Sequence, residues 1–95
     1  MRVWSVATGD CEQTMKGHTD YVNSAGFSPE GQHIVSGSSD KTVRVWETTT
    51  GESQQTLTGH TGSVRSATFG SDQLVVSASE DKTIRVWDVA PPGTE

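Results

Sequence analysis

The stretch Gly17–Trp46, GHTDYVNSAGFSPEGQHIVSGSSDKTVRVW, decides the reading of this chain, because it returns as Gly59–Trp87, GHTGSVRSATFGSDQLVVSASEDKTIRVW. With one gap after Glu30, seventeen of twenty-nine paired positions are identical. Shared composition does not produce that agreement; one structural unit has been duplicated. The offset is 42 residues from His18 to His60 and from Phe27 to Phe69, but 41 from Asp40 to Asp81 and from Trp46 to Trp87. The gap therefore falls in a turn between the Phe and the Asp. Arg2-Val3-Trp4 stands 42 residues before Arg44-Val45-Trp46 and reads as the tail of a further unit.

Repeats of about 40 to 45 residues build blades or solenoids. The segments between turn signals are short and rich in Val, Ile, Thr and aromatics: 22–27, 32–37, 42–46 and 54–57. That composition predicts four strands per period, named a to d in order. No segment of ten or more residues keeps apolar spacing at three and four, so helices are not expected. Ser28-Pro29-Glu30-Gly31 carries Pro and Gly where a type I turn uses them, and Gly70-Ser71-Asp72 reads as its shortened copy. Thr8-Gly9 and Thr50-Gly51 mark a second recurring turn. The chain then runs c (around Val3), d (around Met15), a, b, c, d, a, b, c. Strand c alternates Val43 and Val45 with Thr42, Arg44 and Trp46, so both faces carry bulk, as in a sheet covered on both sides.

Composition narrows what such a chain can do. Apolar residues make up 31% of the 95, against roughly 45 to 50% in globular domains when glycine is counted. A solitary core is expected to be insufficient. A net charge of -5 opposes a grip on phosphate backbones, so nucleic acid is not an expected partner. Cys11 is the one cysteine, which rules out an internal disulfide and fits the cytoplasm or nucleus. No apolar run approaches the roughly 20 residues of a membrane span, and MRVWSVATGD lacks a signal-peptide core. Asn23 is followed by Ser24-Ala25, so it is no glycosylation acceptor.

Gly-His, then Asp-Lys-Thr, then an apolar-Arg-Val-Trp run closing on Trp87-Asp88 resembles the WD40, or transducin beta, repeat. The resemblance covers nearly the whole chain. The first full unit closes on Trp46-Glu47 and the N-terminal remnant on Trp4-Ser5 instead of Trp-Asp. The resemblance implies an all-β fold of four-stranded antiparallel β-propeller blades, here an incomplete ring of about two blades. The divisions expected are a partial blade over 1–16, a full repeat over 17–58, a repeat lacking its last strand over 59–89, and a frayed tail over 90–95 with two successive prolines. Two blade flanks are then expected to face water.

Ser36, His18 and Asp40 invite a hydrolase reading as nucleophile, base and orienter. Their recurrence as Ser77, His60 and Asp81, each set with a Trp (Trp46, Trp87), favours structure, because a catalytic triad is rarely copied into every repeat. The resemblance implies that these eight residues form two buried tetrads in which the indole N–H, the hydroxyl, the imidazole and the carboxylate are linked. His33, replaced by Leu74 in the second unit, reads as a surface residue. No metal is implied, since no His/Cys cluster has ligand spacing, and no cofactor, since Ser36-Gly37-Ser38-Ser39-Asp40 lacks the Gly-Lys-Ser/Thr ending of a phosphate loop. Arg44 and Arg85 share the Trp face and suit stacking or a carboxylate partner rather than a substrate role.

The function expected is a non-enzymatic scaffold for protein partners, in a C-terminal fragment of a larger propeller, with the remaining blades or other copies of the chain completing the ring. Alternatives are a sensor region of a multidomain signalling protein and a small-ligand or glycan binder. Strands of a meander alternate direction, so the d to a and b to c connections share one end. There the two units differ at Tyr21 against Ser63, Asn23 against Arg65 and Ser39 against Glu80. These six are the candidate partner-binding residues, with Tyr21 and Arg65 foremost.

Overall fold

The computed structural model describes residues 2–4, 11–14, 16–48, 50–71 and 73–89, with the first two stretches as backbone only. The Thr8-Gly9 turn, Met15 and the tail 90–95 lie outside the described residues. Those described are all-β: β1 (Arg2–Trp4), β2 (Cys11–Thr14), β3 (Val22–Phe27), β4 (His33–Ser38), β5 (Val43–Glu47), β6 (Ser53–Leu57), β7 (Val64–Ser71), β8 (Leu74–Ser79) and β9 (Ile84–Asp88). They form three antiparallel sheets in sequence order, β1-β2, β3-β4-β5-β6 and β7-β8-β9.

The a to b turn of the first full sheet closes with the Gly31 N–H donating to the Ser28 carbonyl at 2.9 Å, and Gly31 takes φ +77°. Its counterpart departs from the sequence reading. Gly70 and Ser71 belong to β7, and Ser71 pairs with Leu74 across a register shift after Phe69. The missing residue brings the two strands together sooner, so the ladder continues where a loop was expected.

Within each sheet the side chains alternate between two faces. In the four-stranded sheet Val35, Gly37, Val43 and Val45 share one face, since Val35 is paired with Val45 and Gly37 with Val43. Strand β7 packs across β3 and β4 on that side. The core is the layer so formed: Val35, Val43 and Val45 from the first sheet against Val64, Ala67, Val75 and Val89. Leu57, Phe69 and Trp87 close it at the margin. Burying a valine fully is worth about 1.5 to 3 kcal/mol, and here the burial is shared by two repeats. Gly37 permits the approach: a Cβ there would lie 2.6 Å from Val64 Cγ1.

Polar stitches run between the same sheets. The Ala67 N–H donates to Ser24 Oγ at 2.9 Å, the Asn23 amide to the Val64 carbonyl at 2.8 Å, and the Gln55 amide to the Val89 carbonyl at 3.0 Å. The outward face of the second sheet has no such cover among the described residues. Ile84 is 72% and Val86 65% exposed.

Candidate functional site

Each repeat builds the same polar chain, in the first on the face opposite Val35, Val43 and Val45, and in the second on the same face as the core residue Val75. The Trp46 indole N–H donates to Ser36 Oγ at 2.8 Å, Ser36 Oγ lies 2.6 Å from His18 Nε2, and His18 Nδ1 lies 2.9 Å from Asp40 Oδ2. In the second repeat the matching distances from Trp87 through Ser77 and His60 to Asp81 are 2.9, 2.7 and 2.9 Å. An indole can only donate. The serine oxygen therefore accepts from Trp and donates to Nε2, which leaves the Nδ1 proton to be donated to the carboxylate. The rings also meet edge to face, with centroids 5.9 Å apart for His18 and Trp46 and 6.1 Å for His60 and Trp87.

The Gly-His pair is a steric requirement. A Cβ at Gly17 would lie 2.9 Å from Trp46 Cη2, and Gly59 takes φ +155° with Trp87 Cη2 at 3.2 Å from the same position. Arg44 and Arg85 lie over the indoles, each guanidinium carbon 5.8 Å from the ring centroid.

Asp40 and Asp81 collect more donors than the sequence reading assigned. Asp40 accepts from the Thr19 N–H at 3.0 Å, from the Thr42 N–H at 2.9 Å and from the Thr42 hydroxyl. Asp81 accepts from the Thr61 N–H at 3.0 Å, from the Thr83 N–H at 2.8 Å and from the Thr83 hydroxyl. Burial pushes the Asp40 carboxyl up, but the bonds from Thr42, His18 and the Thr19 and Thr42 N–H groups outweigh it and hold the group well below the usual carboxylate range. For Asp81 the Thr83 hydroxyl leads and, with His60 and the Thr61 and Thr83 N–H groups, overcomes burial in the same direction. Thr42 and Thr83 were legible as the Thr of Asp-Lys-Thr, but their role was not.

Between each Asp and Thr stands a lysine in left-handed backbone, Lys41 at φ 75° and Lys82 at φ 71°. That strained turn lets both oxygens of the Asp face the donors around it. The Asp40 and Asp81 N–H groups are in turn capped by Ser38 Oγ at 3.0 Å and Ser79 Oγ at 3.1 Å.

As a catalytic triad this arrangement has no access. Ser36 is 0% and Ser77 1% exposed, and an indole N–H already occupies each hydroxyl oxygen. Each chain instead ties the loop entering strand a, through His and the following Thr, to the b to c turn, through Asp. Among the described residues no three His, Cys, Asp or Glu side chains converge as metal ligands would.

The d to a and b to c connections meet at one end of each sheet. The Ser39 N–H donates to the Tyr21 carbonyl and the Glu80 N–H to the Ser63 carbonyl, both at 2.9 Å. Tyr21 projects from there with 80% of its surface exposed. Arg65 forms an ion pair with Glu80, both exposed. Asn23 is exposed, but its amide is engaged: it donates to Ser39 Oγ at 3.1 Å and to the Val64 carbonyl of the neighbouring sheet. Ser63 is half-buried. His33, read as a surface residue, is half-buried at the start of β4, where its N–H and carbonyl close the a to b turn on Ser28.

The family model described as "WD domain, G-beta repeat" matches residues 9–47 and again 51–88. The chain belongs to the WD40 repeat family. Its repeats are 41% identical over 44 residues to "Nuclear distribution protein PAC1" of Coccidioides posadasii, which covers 46% of this chain and 9% of that protein. They are 47% identical over 36 residues to "Transcriptional repressor tup12" of Schizosaccharomyces pombe, covering 38% and 6%. Against "Protein Notchless" of Drosophila melanogaster the identity is 53% over 34 residues, covering 36% and 7%. The matched stretches thus span under a tenth of these relatives. Among solved structures, the computationally designed Ika4 protein superposes with a TM-score of 0.83 at 32% identity, over 94% of this chain and 54% of that one. The WD40 family is in general a non-enzymatic scaffold. Among the described residues no helix is long and apolar enough to cross a membrane.

Proposed function

We propose that this WD40 chain is a non-enzymatic scaffold that presents the d to a and b to c end of its sheets to a protein partner. One observation carries the reading. At that end Asp40 and Asp81 pin the backbone of the entering loop and of the b to c turn together, so Tyr21 and the Arg65–Glu80 pair stand exposed on a rigid base. Asn23, Ser39 and Ser63 hold the frame; Tyr21, Arg65 and Glu80 face outward. Aromatic and Arg side chains dominate protein interfaces, and an Arg already oriented by a carboxylate loses less freedom on binding.

The open sheet flanks belong to the same reading: the remaining blades of a larger ring, or other copies of the chain, cover them. Names such as nuclear distribution protein and transcriptional repressor among the relatives support work in the cytoplasm or nucleus. The net charge of -5 supports a protein partner over nucleic acid or an anionic membrane.

With a partner isolated by pull-down on the full-length protein, Tyr21→Ala and Arg65→Ala should each weaken binding by about 1 kcal/mol or more without moving the melting curve. Glu30 and Thr50 lie at the opposite end, and substitutions there should leave binding unchanged. Loss of binding through Glu30 or Thr50 alone would place the partner on the other end.

A further inference from the structure

We propose that the partner at the d to a and b to c end is an acidic protein segment, whose carboxylates meet the Lys41 and Lys82 ammonium groups and the Arg65 guanidinium. This deepens the proposed function and rests on it, since it names the chemistry of what that end receives. Lys41 and Lys82 hold left-handed backbone, at φ 75° and 71°, where a Cβ is strained and Gly or Asn is favoured. Both side chains are exposed, and among the described residues neither ammonium has a carboxylate within ion-pair distance. A strained residue that serves no contact inside the fold, found at the same place in both repeats, points to a group outside it.

The acids of that end are already engaged. Asp40 and Asp81 sit among their donors with side chains 8% exposed. The Asp20 carboxylate accepts from the Tyr21 N–H at 2.7 Å, and Glu80 is paired with Arg65. The opposite end has the reverse character: Glu30, Glu47, Glu52 and Asp88 lie there, and among the described residues no Lys or Arg does. That polarity turns an approaching acidic segment away from one end and toward the lysines at the other. Cations interrupted by Asp20 and Glu80 suit discrete carboxylates better than a phosphate backbone, which calls for clustered Lys and Arg.

The cations are also held at fixed spacing. The Asn23 amide donates to Ser39 Oγ, in the turn that carries Lys41, and to the Val64 carbonyl beside Arg65. The Glu80 N–H donates to the Ser63 carbonyl and the Ser79 hydroxyl to the Gly62 carbonyl, which ties the Lys82 turn to the same entry of β7. A Cβ at Gly62 would lie 2.9 Å from the Asp81 backbone nitrogen, so glycine is what lets loop and turn lie this close. Bonds inside the fold thus join Lys41, Arg65 and Lys82 in one frame, and their backbones lose no freedom when a segment is bound.

The test uses the whole chain and two labelled peptides, one Glu-rich with a single Phe for Tyr21 to contact, the other its twin with every Glu replaced by Gln. Fluorescence anisotropy should show the first binding, more weakly as salt rises, and the twin not binding at the same concentrations. Lys41→Asn and Lys82→Asn should each weaken binding about two- to fivefold, the range of exposed charge pairs, while the melting curve rises because the strain is relieved. Loss of folding cannot produce that combination. Lys41→Arg keeps the charge and should bind as the parent chain does. Failure of the Glu-rich peptide to bind at low salt, equal binding of its Gln twin, or Lys→Asn variants that bind as well as the parent overturns the proposal. Polyuridylate that competes as well as the Glu-rich peptide does so too, since the end would then take phosphate and not carboxylate. The face itself is judged separately. On a partner isolated by pull-down, loss through Tyr21→Ala with no effect of either lysine or of salt would keep the binding end and overturn its acidic chemistry.

Discussion

Strand β5 reads Val43-Arg44-Val45-Trp46-Glu47 and β9 reads Ile84-Arg85-Val86-Trp87-Asp88, and the two meet opposite surroundings. Val43, Val45 and Trp46 are buried, whereas Ile84 and Val86 are exposed and Trp87 is half-buried. The hydrogen-bonded chains behind them agree to within 0.1 Å in every distance through His, Ser and Asp. What the repeat contains in itself is copied faithfully; what depends on the neighbouring sheet is not. This is how stacked repeats behave, since each buries its apolar face only against the next.

The largest effect should come from acid, which attacks both repeats at once. Both carboxyls are held below their ordinary range in the fold, so their contribution is fully present above the unfolded value near 4. It is lost as pH falls from there toward the folded values. Urea unfolding followed from pH 7 to pH 2 should show the loss beginning around pH 4 to 5. Asp40→Asn and Asp81→Asn should flatten that acid limb to the same extent. A much larger change for one than for the other would show that the carboxylate sites are not equivalent copies.

Next in size is the indole. Trp46→Ala should cost about 3 to 5 kcal/mol, as truncation of a core Trp does, while Trp87→Ala should cost clearly less because Trp87 keeps part of its surface in water. Equal losses in urea unfolding would mean that burial on the Trp face does not differ between the sheets.

That division also marks what the sequence could show. The two Gly-His, Ser, Asp and Trp sets stand out because each repeats with its spacing, and the structure brings each set into one hydrogen-bonded chain. Strands β3 to β6 fall within a residue of the segments read from Val, Ile, Thr and turn residues. Asn23 could not be read this way. Its amide reaches a carbonyl of Val64, and no local pattern reports a partner on the next sheet. The same holds for Gly37, whose missing Cβ makes sense only when Val64 is in place. The extension of β7 through Ser71 was hidden because Gly70-Ser71 reads as turn chemistry, while the shorter connection draws those residues into the ladder.

A smaller contrast separates the inner and outer valines. Val45→Ala should cost about 2 kcal/mol, since the side chain is wholly within the core. Val86→Ala should stay within about 0.5 kcal/mol in dilute solution, as exposed substitutions do. If Val86→Ala becomes costlier as concentration rises, its face is being covered by another molecule. A Val86 effect as large as that of Val45 at every dilution would place a cover over β9 within the single chain.

The smallest effect should be the same in both sheets, because it is local. Lys41 and Lys82 both hold left-handed backbone, a region that costs a residue with a Cβ on the order of 1 kcal/mol and that Asn tolerates better. Both side chains are exposed, so Lys→Asn removes strain and disturbs no core contact. Lys41→Asn and Lys82→Asn should each stabilise by a few tenths to about 1 kcal/mol. Glycine should gain less, because the freedom it adds to the unfolded chain offsets the relief by about 0.5 to 1 kcal/mol. The two sites should agree with each other, unlike Trp46 and Trp87, because the Asp-Lys-Thr turn takes its shape from its own Asp and Thr. A gain at one site with a loss at the other would show that the turn, like the strand beside it, answers to the neighbouring sheet.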